Sequence, residues 1–323
     1  MKKLLLILLC LPLIGFGQLT MIPDANFEQA LINLGYDTGV PNGSVPTAAI
    51  DTAIDLNISS MNISDLTGIE EFTSLVTLSC RDNQLTSLDL SSNTNLVTLS
   101  CSNNQLTSLD LSSNIALTEV RVGANQLISL NISNNINLEE LWCYENELTS
   151  LDLSNNTNLT RLSCIDNQLT SLDVSNNIAL DRLAVYLNQL TCLDVSNNTV
   201  LTELLCFCNP LEQLNTKNGN WQNMFVGTFS DEPELPFYDN LLCAEVDDIT
   251  FANTYWEFGS FTSLNTNCNY TNPCIIPSAI KEQTTNKALH KVTDLLGRET
   301  KGPNQPLFYI YDDGTVEKRI VIE

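Results

Sequence analysis

The strongest constraint on this chain is a phrase of 21 residues written seven times between Leu75 and Asn220. Copies open at Leu75, Leu96, Leu117, Leu138, Leu159, Leu180 and Leu201. The unit reads L-x-x-L-x-C-x-x-N-x-L-x-x-L-D-L-S-x-N-x-x. A fixed period in this range is the signature of a stacked solenoid. In one copy the apolar residues are Leu138, Leu141, Cys143, Leu148, Leu151 and Leu153. The pairs Leu141/Cys143 and Leu151/Leu153 alternate with polar residues, so each predicts a short strand with one buried face. Asn, Ser and Asp between them favour turns, and no stretch is left for a long helix. One unit cannot bury its own leucines, whereas copies stacked about 4.8 Å apart can. Asn83, Asn104, Asn125, Asn146, Asn167, Asn188 and Asn209 keep the same beat. Inside the turns their amides can pair buried backbone groups of their own and the neighbouring rung.

These residues resemble the leucine-rich-repeat family in its 21-residue bacterial form, over about 145 residues. The resemblance implies a curved solenoid with a parallel sheet on one face. The second pair, Ser-Leu-Asp-Leu-Ser, predicts strand-like segments on the other face too, and hence a flatter solenoid than in helix-backed members. The fold class expected is a leucine-rich-repeat solenoid, mainly parallel β, with short strands on each rung.

Of the 323 residues, 38 are acidic and 14 basic, a net charge of −24. A chain this acidic repels phosphate backbones and anionic membranes, which argues against nucleic acid as a partner. Cys80, Cys101, Cys143, Cys164 and Cys206 fill one repeat slot that Val122 and Val185 fill elsewhere. A slot that accepts valine is an apolar core position, so these cysteines read as buried free thiols. No C-x-x-C or Cys/His cluster suggests zinc.

The flanks divide the chain further. Residues 1–17 place two lysines before an apolar run and then small residues, the pattern of a signal peptide cleaved before Gln18; the run is too short to span a bilayer. Residues 18–49 form an N-terminal cap. Asp24 caps a helix whose Phe27, Ala30, Leu31 and Leu34 share one face, and Gly35 stops it. The solenoid covers residues 50–220, with Ile54 and Leu56 as the core pair of an irregular first rung. Residues 221–270, rich in aromatics, read as an irregular C-terminal cap, which a Cys243–Cys268 disulfide would tie. Residues 271–286 read as a linker and 287–323 as a small β tail, with strand-like Leu307–Tyr311 and Val316–Ile322 joined by Asp313-Gly314. Val292 to Arg298 and the closing Lys-Arg-Ile-Val-Ile resemble the C-terminal sorting domain of type IX secretion substrates, though without clear first strands. That resemblance implies a Bacteroidetes-type source, engagement of the secretion machinery, and a secreted or outer-surface location.

No catalytic constellation emerges. His290, the one histidine, lies in the tail, so no Ser-His-Asp or Cys-His pair can form in the repeats. The chain reads as a non-enzyme without an obligatory cofactor. Asp89, Asp110, Asp152, Asp173 and Asp194 share one slot, with Asn131 in the third copy. Stacked carboxylates repel; flanking serines would relieve this by hydrogen bonding, or calcium would bridge neighbours. The other strand's outward slots vary from copy to copy. From the fourth rung on they gather Trp142, Tyr144, Arg161, Ile165, Arg182, Tyr186, Leu205 and Phe207, a composition that marks binding hot spots. A scaffold position should repeat and a recognition position need not. The expectation is an exported protein that recognises a protein or glycan through this face. The alternative is a structural or adhesive surface component with a calcium-stabilised acidic face.

Overall fold

A computed structural model of the chain describes residues 17–220, 222–226, 243–247, 264–265, 289–293, 306–311 and 316–320. The signal peptide, the linker at 271–286 and most of the aromatic stretch lie outside the described residues. The chain divides into two compact units, Met1–Ile276 and Pro277–Glu323.

The first unit opens with β1 (Leu19–Met21), α1 (Ala25–Asn33), β2 (Ser44–Pro46) and α2 (Thr47–Ile50), with β1 and β2 paired antiparallel. Asp24 caps α1 as its sequence predicts. Its Oδ1 accepts the amides of Asn26 and Phe27, and its Oδ2 accepts the amides of Ser64 and Asp65 and the Ser64 hydroxyl. One carboxylate therefore starts the helix and ties it to the solenoid. Gly35, at φ +85°, ends it, with amides of Gly35 and Tyr36 returning to Ile32 and Leu31, a Schellman stop. Leu34 does not share the buried face. It sits at the cap, past the last helical turn, and is 46% exposed. A buried Glu28 holds the following loop by accepting the amides of Asn42 and Gly43.

The rungs follow as β3 (Asp55–Asn57), β4 (Thr77–Ser79), β5 (Thr98–Ser100), β6 (Glu119–Arg121), β7 (Glu140–Trp142), β8 (Arg161–Ser163), β9 (Arg182–Ala184), β10 (Cys192–Asp194), β11 (Glu203–Leu205), β12 (Gln213–Asn215), β13 (Phe225–Val226), β14 (Cys243–Glu245) and β15 (Leu264–Asn265). Nine of them form one parallel sheet in the order β13-β11-β9-β8-β7-β6-β5-β4-β3, advancing one copy per strand with Leu on Leu in register. The repeat leucines and the cysteine slot are buried throughout. In the first rung the core pair is Leu56 and Ile58; Ile54 is 63% exposed. Pairing of Leu56 with Leu78 fixes that register and sets Ile58, two residues on, at the place of the cysteine slot, whereas Ile54 lies before β3 begins.

The second alternating pair forms a sheet only at the C-terminal end, in the order β10-β12-β14-β15. In earlier rungs it makes a single isolated bridge, Asp110 to Asn131. There the segment is Ser-Leu-Asp-Leu-Ser, whose residues are poor strand formers and bond their own backbone instead. Where Cys192 and Gln213 replace the first serine, the ladder closes. β13 prolongs the first sheet and β14 and β15 the second, so part of the expected irregular cap continues the solenoid.

Two asparagine ladders run through the stack. In the first, Asn146 donates Nδ2 to carbonyls of Val122 in the preceding rung and of Cys143 and Tyr144 in its own, and its Oδ1 accepts the Leu127 amide at 3.0 Å. Asn83, Asn104, Asn125, Asn167, Asn188 and Asn209 repeat the pattern. The second comprises Asn93, Asn114, Asn135, Asn156, Asn177 and Asn198, all with 0% exposure. Asn135, for example, donates to carbonyls of Leu111 and Asn114. Just before each first-ladder asparagine the chain turns left-handed, at Asp82, Asn103, Ala124, Glu145, Asp166, Leu187 and Cys208.

The second unit carries β16 (Leu289–Thr293), β17 (Pro306–Tyr311) and β18 (Val316–Ile320) in one antiparallel sheet. The hairpin read from Asp313-Gly314 forms as β17 and β18. β16, which the sequence did not reveal, supplies a first strand, with a bulge between Leu289 and Lys291.

Candidate functional site: the outward face of the strand sheet

Each strand presents one inward leucine or valine between two outward residues, and the residue two beyond the strand's last also faces out. Three outward columns result. The first runs Thr77, Thr98, Glu119, Glu140, Arg161, Arg182, Glu203. The second runs Ser79, Ser100, Arg121, Trp142, Ser163, Ala184, Leu205. The third runs Arg81, Ser102, Gly123, Tyr144, Ile165, Tyr186, Phe207. All four arginines between residues 18 and 280 lie in these columns.

Around the fourth rung the columns are knitted together. Arg121 bridges the like-charged neighbours Glu119 and Glu140, reaching Glu140 at 3.8 Å. Its guanidinium lies 5.2 Å from the centre of the Trp142 ring, a cation–π contact. The Trp142 indole nitrogen donates to Glu140 at 3.3 Å, and Arg161 Nη1 donates to the other oxygen of Glu140 at 2.8 Å. Tyr144 folds back over Gly123, where an added Cβ would meet the ring at 2.5 Å. That explains a glycine in a column otherwise filled by side chains.

Of the residues singled out from sequence, Trp142, Tyr144, Arg161, Ile165 and Tyr186 are half-buried and Arg182 is exposed on this face. Leu205 and Phe207 are not exposed; each retains 3%. Phe207 stacks on Tyr186 at 4.3 Å and 12°, and β13 pairs alongside β11, the strand that carries Leu205. Sequence reasoning left Arg121, Glu119 and Glu140 out of the patch. Their signal was available: they occupy the same variable slots, at the spacing that sets opposite charges on adjacent rungs. Ser100 and Ser163, beside Arg121 and Trp142 in register, are buried with hydroxyls that find no hydrogen-bond partner among the described residues.

The opposite face is built differently. Each of Asp89, Asp110, Asp152, Asp173 and Asp194 accepts the amide two residues on, from Ser91, Ser112, Ser154, Ser175 and Ser196, at 2.8–2.9 Å. Asn131 does the same with Ser133. Hydrogen bonds from Ser91 and Ser112, amide and hydroxyl, hold the carboxyls of Asp89 and Asp110 below the usual range, and the Ser154 hydroxyl and amide do so for Asp152. Each of these carboxylates is thus spent on its own turn, while Asp89 still repels Asp110. Among the described residues no group of three or more His, Cys, Asp or Glu converges as a metal site would require.

Cys80, Cys101, Cys143 and Cys164 are buried free thiols, and Cys206 is buried in the same slot. Burial pushes the thiols of Cys101 and Cys143 up to about 12 and those of Cys80 and Cys164 well above their ordinary value. Cys192 is disulfide-bonded; Cys268 and the Cys243 side chain lie outside the described residues.

No protein-family model matches the chain, and no curated protein matches it. Solved structures do. An internalin (InlF) of Listeria monocytogenes superposes with a TM-score of 0.62 at 19% identity, over 76% of this chain and 71% of the internalin. The fold is that of bacterial leucine-rich-repeat proteins. Internalin C2 of the same organism gives 0.52 at 20% identity, over 76% of this chain and 95% of that one. A leucine-rich-repeat protein of Leptospira interrogans gives 0.51 at 23%, over 62% and 57%. Among the described residues no helix is long and apolar enough to cross a membrane.

Proposed function

We propose that this leucine-rich-repeat protein is an exported, non-enzymatic binding protein that recognises a protein or glycan through the outward face of its strand sheet. The observation that carries the reading is the contrast between the two faces. The Asp–Ser face repeats its side chains and uses them on its own turns. The strand face changes its side chains from rung to rung and collects Trp142, Tyr144, Tyr186 and every arginine of the repeats. Half-exposed aromatic and arginine residues supply contact area at low entropic cost, and a single scaffold can present many such surfaces. The leader-like residues 1–17 and the sorting-like tail support export to the cell surface or beyond.

The test is a screen of the mature chain against surface proteins and a glycan array, repeated with Trp142→Ala plus Tyr186→Ala. Binding that the double substitution abolishes, with the far-UV spectrum unchanged, supports the reading. Binding that survives it places recognition elsewhere and refutes this face.

A further inference from the structure

Building on that reading of the face, we propose a carboxylate subsite between Arg161 and Arg182, suited to a glycan that ends in a single carboxylated sugar. Arg161 and Arg182 are direct neighbours across β8 and β9, both on outward positions. Like charges so placed repel by Coulomb's law. The same situation arises two rungs earlier with Glu119 and Glu140, and there the chain supplies the counter-charge itself through Arg121 in the adjoining column. Beside the arginine pair that adjoining column holds Ser163 and Ala184, too short to bring an anion between them. Glu140 meets Arg161 from one side and Glu203 meets Arg182 from the other, the latter at 3.6 Å. Nothing anionic reaches between the two guanidinium groups among the described residues. Among the described residues the Arg182 side chain makes ion pairs only with Glu203 at 3.6 Å and Asp181 at 4.0 Å, and its guanidinium donates no hydrogen bond. Its donors are therefore unspent, and one oxygen pair of a carboxylate matches the spacing and planarity of such forks.

The surroundings select the rest of the ligand. The floor is Ser163 and Ala184, closed at one end by Trp142 and at the other by Leu205. One wall is cationic, the other is Ile165 and Tyr186. At about 3.3 Å per residue and 4.8 Å per rung the floor measures roughly 13 by 10 Å, the footprint of one or two sugar rings. Ser163, a residue 4% exposed, lies in this floor with a buried hydroxyl that has no partner among the described residues, and a ligand hydroxyl that displaces the cover over it would supply one. An extended peptide has less to hold here: β8 and β9 are paired on both sides, so no strand edge is open for backbone addition. The acidic remainder of the chain repels polyanions, which favours an isolated carboxylate over a polymer of them.

The probe is 3′-sialyllactose, titrated calorimetrically into the mature chain, with lactose and an acetylated glutamate-containing tetrapeptide as comparators. Expected are binding of sialyllactose, none of lactose, and at least a tenfold loss of affinity in Arg182→Gln and in Arg161→Gln, the size set by one charge-assisted hydrogen bond. Equal binding of lactose, indifference to both arginine substitutions, preference for the peptide, or no binding at all overturns the subsite. A ligand lost with Trp142→Ala but indifferent to the arginines overturns the subsite while leaving the broader binding face standing.

Discussion

Asn146→Ala isolates what one rung of the first asparagine ladder contributes. The substitution removes an acceptor for the Leu127 amide and a donor shared among three carbonyls. Those carbonyls are not orphaned. Val122 O keeps the Asn125 amide, Cys143 O keeps that of Asn167, and Tyr144 O keeps the Ala124 backbone amide at 2.8 Å. One group, the Leu127 N–H, is left buried and unpaired. An orphaned buried amide costs about 1–3 kcal/mol, and each lost neutral donor bond about 0.5–1.5 kcal/mol. With two donor hydrogens lost, the expected destabilisation is roughly 2–6 kcal/mol. Asn137, whose amide bonds Ile115 O at the exposed surface, is the control, and its alanine variant should lie within about 0.5 kcal/mol of the parent. Urea unfolding followed by far-UV circular dichroism measures both. The shared carbonyls add a sharper test. Asn146→Ala with Asn167→Ala strips Cys143 O of both its donors, so the double variant should exceed the sum of the singles by about 1 kcal/mol or more. Equal effects at Asn146 and Asn137, or strict additivity, would refute the ladder as described.

Further outcomes follow from the same geometry. Asn135→Asp sets a carboxylate against the carbonyls of Leu111 and Asn114 in a site with no exposure; about 4 kcal/mol of destabilisation, or failure to fold, is expected, and a stable variant would show that the slot admits water. The thiols of Cys101 and Cys143 are raised to about 12 by burial, above their unfolded value near 8.5. The unfolded state therefore loses these protons first, so stability is full below pH ~8.5 and falls as pH rises toward the folded value. Cys101→Val plus Cys143→Val should flatten the decline in urea midpoint between pH 8 and 11, and an unchanged slope would assign it to other groups. At Asp24, burial pushes the carboxyl up but the Ser64, Phe27 and Asn26 donors outweigh it, and the net shift is downward. Its stabilisation is present above the unfolded carboxylate value and is lost as pH falls through the lower folded one. Asp24→Ala should cost about 2–4 kcal/mol and open residues 18–50 to proteolysis first; cleavage unchanged from the parent would count against its tying role. Leu187, at φ +56°, should gain about 1 kcal/mol on replacement by asparagine, which tolerates the left-handed turn; a lower urea midpoint would mean that its side chain packs.

The candidate face was partly legible in the sequence. Trp142, Tyr144 and the arginines stand out because their column positions vary while the rest of the repeat does not. Arg121 was left out of the patch because its meaning lies in its contacts with Glu119 on its own strand and with Glu140 and Trp142 one rung away. Leu205 and Phe207 look like half-buried equivalents such as Trp142 and Tyr144 in earlier rungs, and only the return of β13 beside β11 and the stack on Tyr186 distinguish them. The second asparagine was written into the first six repeats, yet its role as a buried donor to two carbonyls appears only when rungs are stacked.

The sequence alone determines the rung. A strict 21-residue period fixes which leucines stack, that the cysteine slot is apolar, and that an amide recurs where a turn needs one. Tertiary structure decides what depends on a neighbour. Left-handed turns at Ala124, Glu145 and Leu187 run against residue preference, and the amides of Ala124 and Glu145 are held by carbonyls of the next rung at 2.8 Å. The second sheet closes at Cys192 and Gln213 and not at the serines before them. Whether a side chain faces solvent depends on which strand comes to lie beside it. Local pattern sets the repeating unit because each rung obeys the same sterics; the ends, edges and charge pairs belong to contacts between rungs, which no single copy contains.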